Sequence, residues 1–162
     1  MMTGTANVSS RMLLYRLLTL LTLLFLALYD YRHHKVRNAA LLAFLPWCLF
    51  SIPLSIRQEP FFPPVLIIIM AFLGFLCGGA LLLSISMTTN GSIGGGDIKL
   101  LALLGICHGA SGILRILTIS CFLALIHLGC RSLLRKRNPN RIAFVPYLAA
   151  GYCLYLILQY AL

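Results

Sequence analysis

Apolar residues along this chain occur in long blocks that are separated by short polar segments. Six blocks are apolar enough to form membrane helices, and they cover residues 11–29, 39–56, 65–87, 98–107, 113–129 and 142–162. A helix needs about 20 apolar residues to cross a hydrocarbon core about 30 Å thick. The pattern therefore predicts an all-α polytopic membrane protein of about six transmembrane helices. One domain is expected at residues 11–162, after a disordered tail at residues 1–10.

Three of these blocks depart from a simple span. Residues 98–107 would reach only about 15 Å as a helix, so this block either extends through residues 108–112 or is partly re-entrant. Pro46 and Pro53 remove backbone donors from the second block and are expected to kink it. The first block resembles a secretory signal peptide, but no small-residue cleavage site follows it, which favours a transmembrane helix.

Composition supports the membrane assignment. Apolar residues make up 60% of the chain and charged residues 10%, which excludes an ordinary soluble globule. The net charge of +10 could indicate nucleic-acid binding, but the basic residues lie in short segments between apolar blocks. The lipid bilayer is therefore the expected partner, and no nucleic acid is expected.

The basic residues also predict an orientation. One side of the membrane would carry nine of them: Arg32, Lys35, Arg37, Lys99, Arg131, Arg135, Lys136, Arg137 and Arg141. The other side would carry four: Arg11, Arg16, Arg57 and Arg115. Positive residues favour the cytoplasm, so segments 31–38, 88–97 and 131–141 are expected to be cytoplasmic and both termini external.

The cysteines and histidines give no sign of a metal centre. The six cysteines are scattered and form no C-x-x-C pair, so neither a zinc site nor a disulfide is predicted. His33 and His34 lie in a basic segment, while His108 and His127 are single residues at or near apolar blocks. We expect no metal and no cofactor.

Aspartate is rare in this chain and occurs at two comparable places. The only acidic residues are Asp30, Glu59 and Asp97. Asp30 ends the first block and Asp97 begins the fourth, so both would lie at one membrane depth on the cytoplasmic side. Two neighbouring carboxyl groups can share a proton, activate a water and protonate a leaving amine, as peptide hydrolysis requires. Alternatively, Asp30 is a charged helix end and Asp97 is an N-cap.

Three segments resemble one protein family. Residues 94–105 resemble the GxGD-x-K-L signature of type IV prepilin peptidases, which are intramembrane aspartyl proteases. Asp30, followed by basic residues and Asn38, resembles the first aspartate motif of that family. Residues 143–151 resemble its third landmark, which opens the last helix. The resemblance extends from about residue 12 to the end of the sequence.

The resemblance implies an endopeptidase that removes the basic leader from type IV prepilin-like precursors at the cytoplasmic face of the plasma (inner) membrane. Asp30 and Asp97 match its catalytic pair, and Gly94 and Gly96 would give the loop the geometry that aims Asp97. Possible supporting residues are Lys99, which could bias the aspartate charge or anchor at lipid headgroups, and Asn38.

The chain departs from the family pattern in several respects, which include Val36 in place of the usual isoleucine and the lack of a Pro-Phe-Gly start at residues 143–145. Arg37 stands where the family usually has proline before Asn38. The N-terminal region with paired C-x-x-C motifs, found in members that also methylate their product, has no counterpart in the sequence. The chain thus resembles the minimal peptidases of tight-adherence pili or archaeal preflagellins, and methylation is not expected.

Two other functions fit parts of the pattern. In a non-catalytic assembly or transport component, the aspartates would bind a helix partner or a proton. In a GxGD protease of other specificity, such as a presenilin-like peptidase, Tyr29 and Asp30 would supply the first motif. The basic segment that follows Asp30 and the short chain fit that second alternative poorly.

Overall fold

A computed structural model of the chain describes residues 3–33, 38–59, 61–88, 94–133 and 144–161. These residues form six helices: α1 (Thr3–His33), α2 (Asn38–Leu49), α3 (Ser51–Gln58), α4 (Pro64–Thr88), α5 (Gly95–Leu133) and α6 (Val145–Ala161). The described residues contain no strand, which confirms the all-α prediction. Arg37, most of the glycine-rich segment before Asp97 and residues 134–143 of the basic segment lie outside the described residues.

Four helical stretches are long and apolar enough to cross a membrane. They are Ser10–Arg32, Asn38–Gln58, Pro64–Thr88 and Gly95–Cys130, and a shorter apolar helix covers Val145–Tyr160. The first three correspond to the first three predicted blocks. The fourth stretch combines the fourth and fifth blocks, which the sequence analysis had separated.

Helix α1 begins before the first apolar block. It starts at Thr3, so the helix includes residues that precede the predicted first span. Residues 5–10 contain neither glycine nor proline, so nothing in the backbone prevents the apolar helix from continuing towards the N-terminus.

The second block is interrupted, as its prolines predicted. Helix α2 ends at Leu49 and α3 begins at Ser51. Pro53 has no N–H to donate to the carbonyl of Leu49, four residues earlier, so the regular hydrogen-bond ladder fails at this point. Phe50 keeps helical dihedral angles and its N–H donates to the Pro46 carbonyl at 3.0 Å, so α2 and α3 still form one apolar stretch.

Helices α4 and α5 pack backbone against backbone. A methyl group added at Gly74 would overlap the Gly105 carbonyl, and one added at Gly105 would overlap the Gly74 carbonyl. A methyl group at Gly78 would lie 2.7 Å from the Leu101 carbonyl oxygen. Residues later in α4 contact residues earlier in α5, so the two helices are antiparallel. In lipid such close packing replaces the hydrophobic driving force between helices.

Helix α5 consists of two helical arms that meet at Gly109. This residue has φ 66° and ψ 179°, and it is the positive-φ glycine of the described chain. A side chain at this position would be strained, which explains the glycine. The fourth block therefore extends as a helix through residue 108, about 21 Å from residue 95, and a second arm follows at residues 110–133.

Helix α6 packs against the second arm of α5. Gly151 lies against Ser120, where a methyl group would overlap the Ser120 hydroxyl. The Tyr155 hydroxyl lies near Gly112, and the Tyr147 hydroxyl lies 2.6 Å from His127 Nδ1. Residues later in α6 contact residues earlier in this arm, so α6 and the arm are also antiparallel.

The α4–α5 contact gives a stability prediction. Gly105→Ala should lower the free energy of unfolding by about 1–3 kcal/mol, because the methyl group forces two backbones apart. Gly129→Ala is the matched control, since a methyl group there meets no atom within 4 Å. Unfolding in detergent, followed by circular dichroism, measures both. Equal stability of the two variants would contradict the close packing.

Candidate active site

Asp30 continues the buried face of α1. The residues on that face follow one another at intervals of three or four: Met12, Tyr15, Thr19, Leu23, Leu26 and Asp30. Only 4% of Asp30 is exposed. The helical period therefore directs this carboxyl group into the protein, as it does the leucines before it. A charged helix end that merely faces water would not require this burial.

Asp97 lies in the first turn of α5. The Gly94 carbonyl accepts hydrogen bonds from the N–H groups of Asp97, at 3.0 Å, and Ile98, at 3.4 Å. Gly94 therefore immediately precedes the helix, and Asp97 is its third residue rather than its N-cap. A carboxylate in the first turn interacts favourably with the free N–H groups and the helix dipole.

The two glycines expected to aim Asp97 lie at the start of α5. Gly96 belongs to the first turn of α5, where its dihedral angles are helical, and Gly94 immediately precedes the helix. A methyl group at Gly94 would lie 3.4 Å from Asp97 Oδ2, an ordinary van der Waals contact. The start of the helix therefore places Asp97, and the packing of the arm that follows fixes the register of this helix.

The two aspartates lie close enough to interact. The carboxyl groups of Asp30 and Asp97 act on each other electrostatically, and Asp97 is itself half-buried. Toward the other end of the same two helices, the Tyr15 hydroxyl lies 3.4 Å from Cys107 Sγ. Helix α1 thus runs antiparallel to the first arm of α5, with the aspartates at one end of their contact.

Lys99 and Asn38 meet beside this pair. The Lys99 ammonium donates a hydrogen bond to Asn38 Oδ1 at 3.2 Å, and both side chains are exposed. Asn38 begins α2, shortly after Asp30 along the chain, and Lys99 follows Asp97 by two residues. The bond therefore joins the start of α2 to the start of α5. Four residues that the sequence suggested for the site therefore lie at one end of the helices: Asp30, Asp97, Asn38 and Lys99.

A polar cluster at the far end of α1 was not predicted. The Tyr15 hydroxyl donates to the Trp47 carbonyl at 2.9 Å, and the two rings stack with centroids 5.1 Å apart. Trp47 Nε1 donates to Thr19 Oγ1 at 3.1 Å. Tyr15 and Thr19 are four residues apart on the buried face of α1, which is the signal that could have identified them. The cluster fastens α1 to α2.

A second polar contact joins α5 to α6. His108 Nε2 lies 3.1 Å from the Tyr152 hydroxyl, which in turn donates to the Arg16 carbonyl at 3.3 Å. This histidine is therefore a hydrogen-bonded group between helices. It lies eleven residues after Asp97 along α5. Among the described residues, no three His, Cys, Asp or Glu side chains are grouped to hold a metal ion.

Comparison with known proteins identifies the family. A family model described as the type IV leader peptidase family matches residues 17–129, more than half of the chain. The chain belongs to the type IV leader peptidase family. This membership identifies a leader-peptidase-like protease embedded in a membrane, in a family of aspartic type. None of the curated proteins and none of the solved structures compared with the chain matches it.

The match to the leader peptidase family includes both ends of the candidate site. It contains Asp30, Asn38, Asp97 and Lys99, together with the glycines before Asp97. It ends before residues 143–151, the third segment of the resemblance. In that segment, Val145 begins α6 and Pro146 occupies its first turn, where a missing N–H is tolerated.

The hydrogen bond between Lys99 and Asn38 gives a second prediction. In a double-mutant cycle, Lys99→Met and Asn38→Ala should show a coupling free energy of about 0.5–1.5 kcal/mol, the net value of one hydrogen bond. The measurement is unfolding of the detergent-solubilised protein. Arg115→Met paired with Asn38→Ala is the control and should be additive. Additivity in the Lys99 cycle would show that the bond contributes nothing.

Proposed function

We propose that this leader peptidase family member is an intramembrane aspartyl endopeptidase, with Asp30 and Asp97 as its catalytic pair. Its substrates are type IV pilin-like precursors, from which it removes a basic leader at the cytoplasmic face of the plasma membrane. The observation that carries the proposal is that Asp30 and Asp97 lie at the same end of α1 and α5, near enough to interact electrostatically. They are two of the three acidic residues in the chain.

The chemistry follows from the pair acting as a unit. Two carboxyl groups that interact electrostatically do not both ionise at low cost, so the pair holds one proton and titrates as a unit. The charged member takes a proton from a water, which attacks the carbonyl carbon of the scissile peptide bond. The protonated member donates to the carbonyl oxygen, and the pair then protonates the departing amine nitrogen as the C–N bond breaks.

The position of the pair suits this reaction. Asp30 is buried near the end of a membrane helix, and Asp97 is half-buried at the start of another. Water reaches the end of a membrane helix more readily than its middle, while the apolar residues around Asp30 keep the pair poorly solvated. Near the pair, Lys99 and Asn38 act as positioning residues that fix the start of α2 against the start of α5.

The catalytic assignment predicts loss of activity at two positions only. Asp30→Asn and Asp97→Asn should each lower cleavage of a purified pilin-like precursor by at least about 100-fold, because each removes a proton donor or acceptor. Glu59→Gln is the matched control: it neutralises the remaining acidic residue, which is exposed near the α3–α4 turn, and should retain activity. A mobility shift of the precursor on a gel measures cleavage.

The outcome separates the proposal from its alternatives. Full cleavage by either aspartate variant would refute the catalytic pair. Normal membrane insertion with no cleavage by the unaltered protein, and an effect of both variants on complex formation, would instead indicate a non-catalytic assembly component. Cleavage of unrelated membrane helices with equal efficiency would indicate a GxGD protease of other specificity.

The proposed orientation predicts opposite labelling of two positions. In a variant without its six native cysteines, Gly95→Cys should be protected from a membrane-impermeant maleimide added to intact cells. Phe61→Cys, in the exposed turn before α4, should be labelled, because the positive charges favour the Gly95 side as cytoplasmic. Both sites should react after the membrane is permeabilised. The reverse pattern in intact cells would overturn the orientation.

A further inference from the structure

Two apolar grooves of similar size open on the helical surface that the structure describes. The first, here called the α2–α4–α5 groove, has a volume of about 670 Å³. The second, the α1–α2 groove, has a volume of about 710 Å³. Both face the surroundings of the helices, where lipid would lie. Their linings differ in polarity, and this difference indicates which groove has a specific occupant.

The α2–α4–α5 groove begins at the candidate active site. Ile98 and Lys99 line it, and they follow Asp97 directly in the first two turns of α5. Asn38, the partner of Lys99, lines the same end. The α1–α2 groove has no charged residue in its lining and includes neither Asn38 nor any residue of α5. Of these two grooves, the first therefore has a polar end, and the residues of α5 that line this end directly follow Asp97.

The rest of the first groove is shaped to receive a helix. Its lining includes the small residues Gly79, Ala80 and Ala102, at the place where α4 and α5 come close together. Larger side chains such as Leu42, Leu45 and Phe75 complete it. Along α4 the lining extends from Phe75 to Leu83, about 12 Å, or roughly two turns of a helix. Small residues allow a second helix to pack closely in lipid.

We propose that the α2–α4–α5 groove binds the apolar helix of the precursor. Its scissile bond lies beside Asp97, and its helix extends from there along the groove, away from Lys99 and Asn38. The polarity of the groove matches such an occupant, which has a polar start and an apolar body. The open side of the groove allows the helix to arrive from the lipid. This inference rests on the proposed function, because it places the substrate relative to the catalytic pair.

A photo-crosslink tests the location independently of cleavage. A benzophenone amino acid is placed at Ala80, an exposed residue of the groove, in the Asp97→Asn protein, which does not consume the precursor. The control is the same substitution at Ala43, an exposed alanine of the α1–α2 groove. We expect the precursor to crosslink at Ala80 at least about five times more than at Ala43. Equal crosslinking, or products at Ala80 that contain only lipid or a second copy of the chain, would overturn the proposal.

A pair of substitutions tests the effect on activity. Ala80→Leu should raise KM for the full precursor about 10-fold, because it fills the groove, while Ala43→Leu should leave KM unchanged. Both variants should cleave a short peptide that has the leader and the scissile bond but lacks the apolar helix as well as the unaltered protein does. Equal loss on both substrates, or no loss on the full precursor, would contradict the groove as the binding site.

The two experiments distinguish the failure of each proposal. If the unaltered protein cleaves neither substrate, the proposed function is wrong, whatever the groove binds. If it cleaves both, and Ala80 variants behave like Ala43 variants in crosslinking and in KM, the function stands and the groove assignment is wrong. Normal cleavage by the Asp97→Asn protein would refute the catalytic pair, and the KM comparison of Ala80→Leu with Ala43→Leu would then still test the groove.

Discussion

The backbone contact between Gly74 and Gly105 is the constraint on which the rest of the structure depends. It holds α4 directly against the first arm of α5, whose Leu100, Leu101 and Leu104 are fully buried. The same arm contacts every other part of the molecule that bears on the site: α1 through Cys107, α2 through Lys99 and α6 through His108. In lipid, apolar contact between helices is only slightly more favourable than contact with acyl chains. The position of this central arm therefore depends on close packing against its neighbours.

The candidate site follows from that central arm together with the buried face of α1. Once α1 lies antiparallel to the arm, the buried face that runs from Tyr15 to Asp30 brings its last member to the beginning of α5, where Asp97 stands. The Tyr15, Trp47 and Thr19 contacts at the other end fix α1 against α2, so α1 cannot rotate without breaking hydrogen bonds. These contacts far from the site therefore fix the position of Asp30 relative to Asp97.

Much of this could be predicted from the sequence, because a membrane restricts what apolar blocks can do. The blocks gave the helices, and the rarity of aspartate together with the charge pattern singled out Asp30 and Asp97. The two blocks on either side of residues 108–112 predicted an interruption there, but its position at Gly109 could not be predicted. Gly105, Gly109 and Gly112 look alike in sequence, although Gly105 serves packing and Gly109 has a positive φ. The inclusion of Gly96 in α5 depends on tertiary packing behind it, which local glycine content does not encode.

The proposed place of the groove beside the aspartates would also explain how a protease could cut a membrane helix without unfolding it. Peptide bonds inside a helix are hydrogen-bonded and shielded from an attacking water. The first four N–H groups of a helix are not, so the bond just before a helix is the accessible one. In the proposed complex, a precursor helix that starts beside Lys99 and extends along the α2–α4–α5 groove would present that bond to Asp97. The groove then sets the cutting position by where the helix begins, and the pair needs to recognise only an extended backbone.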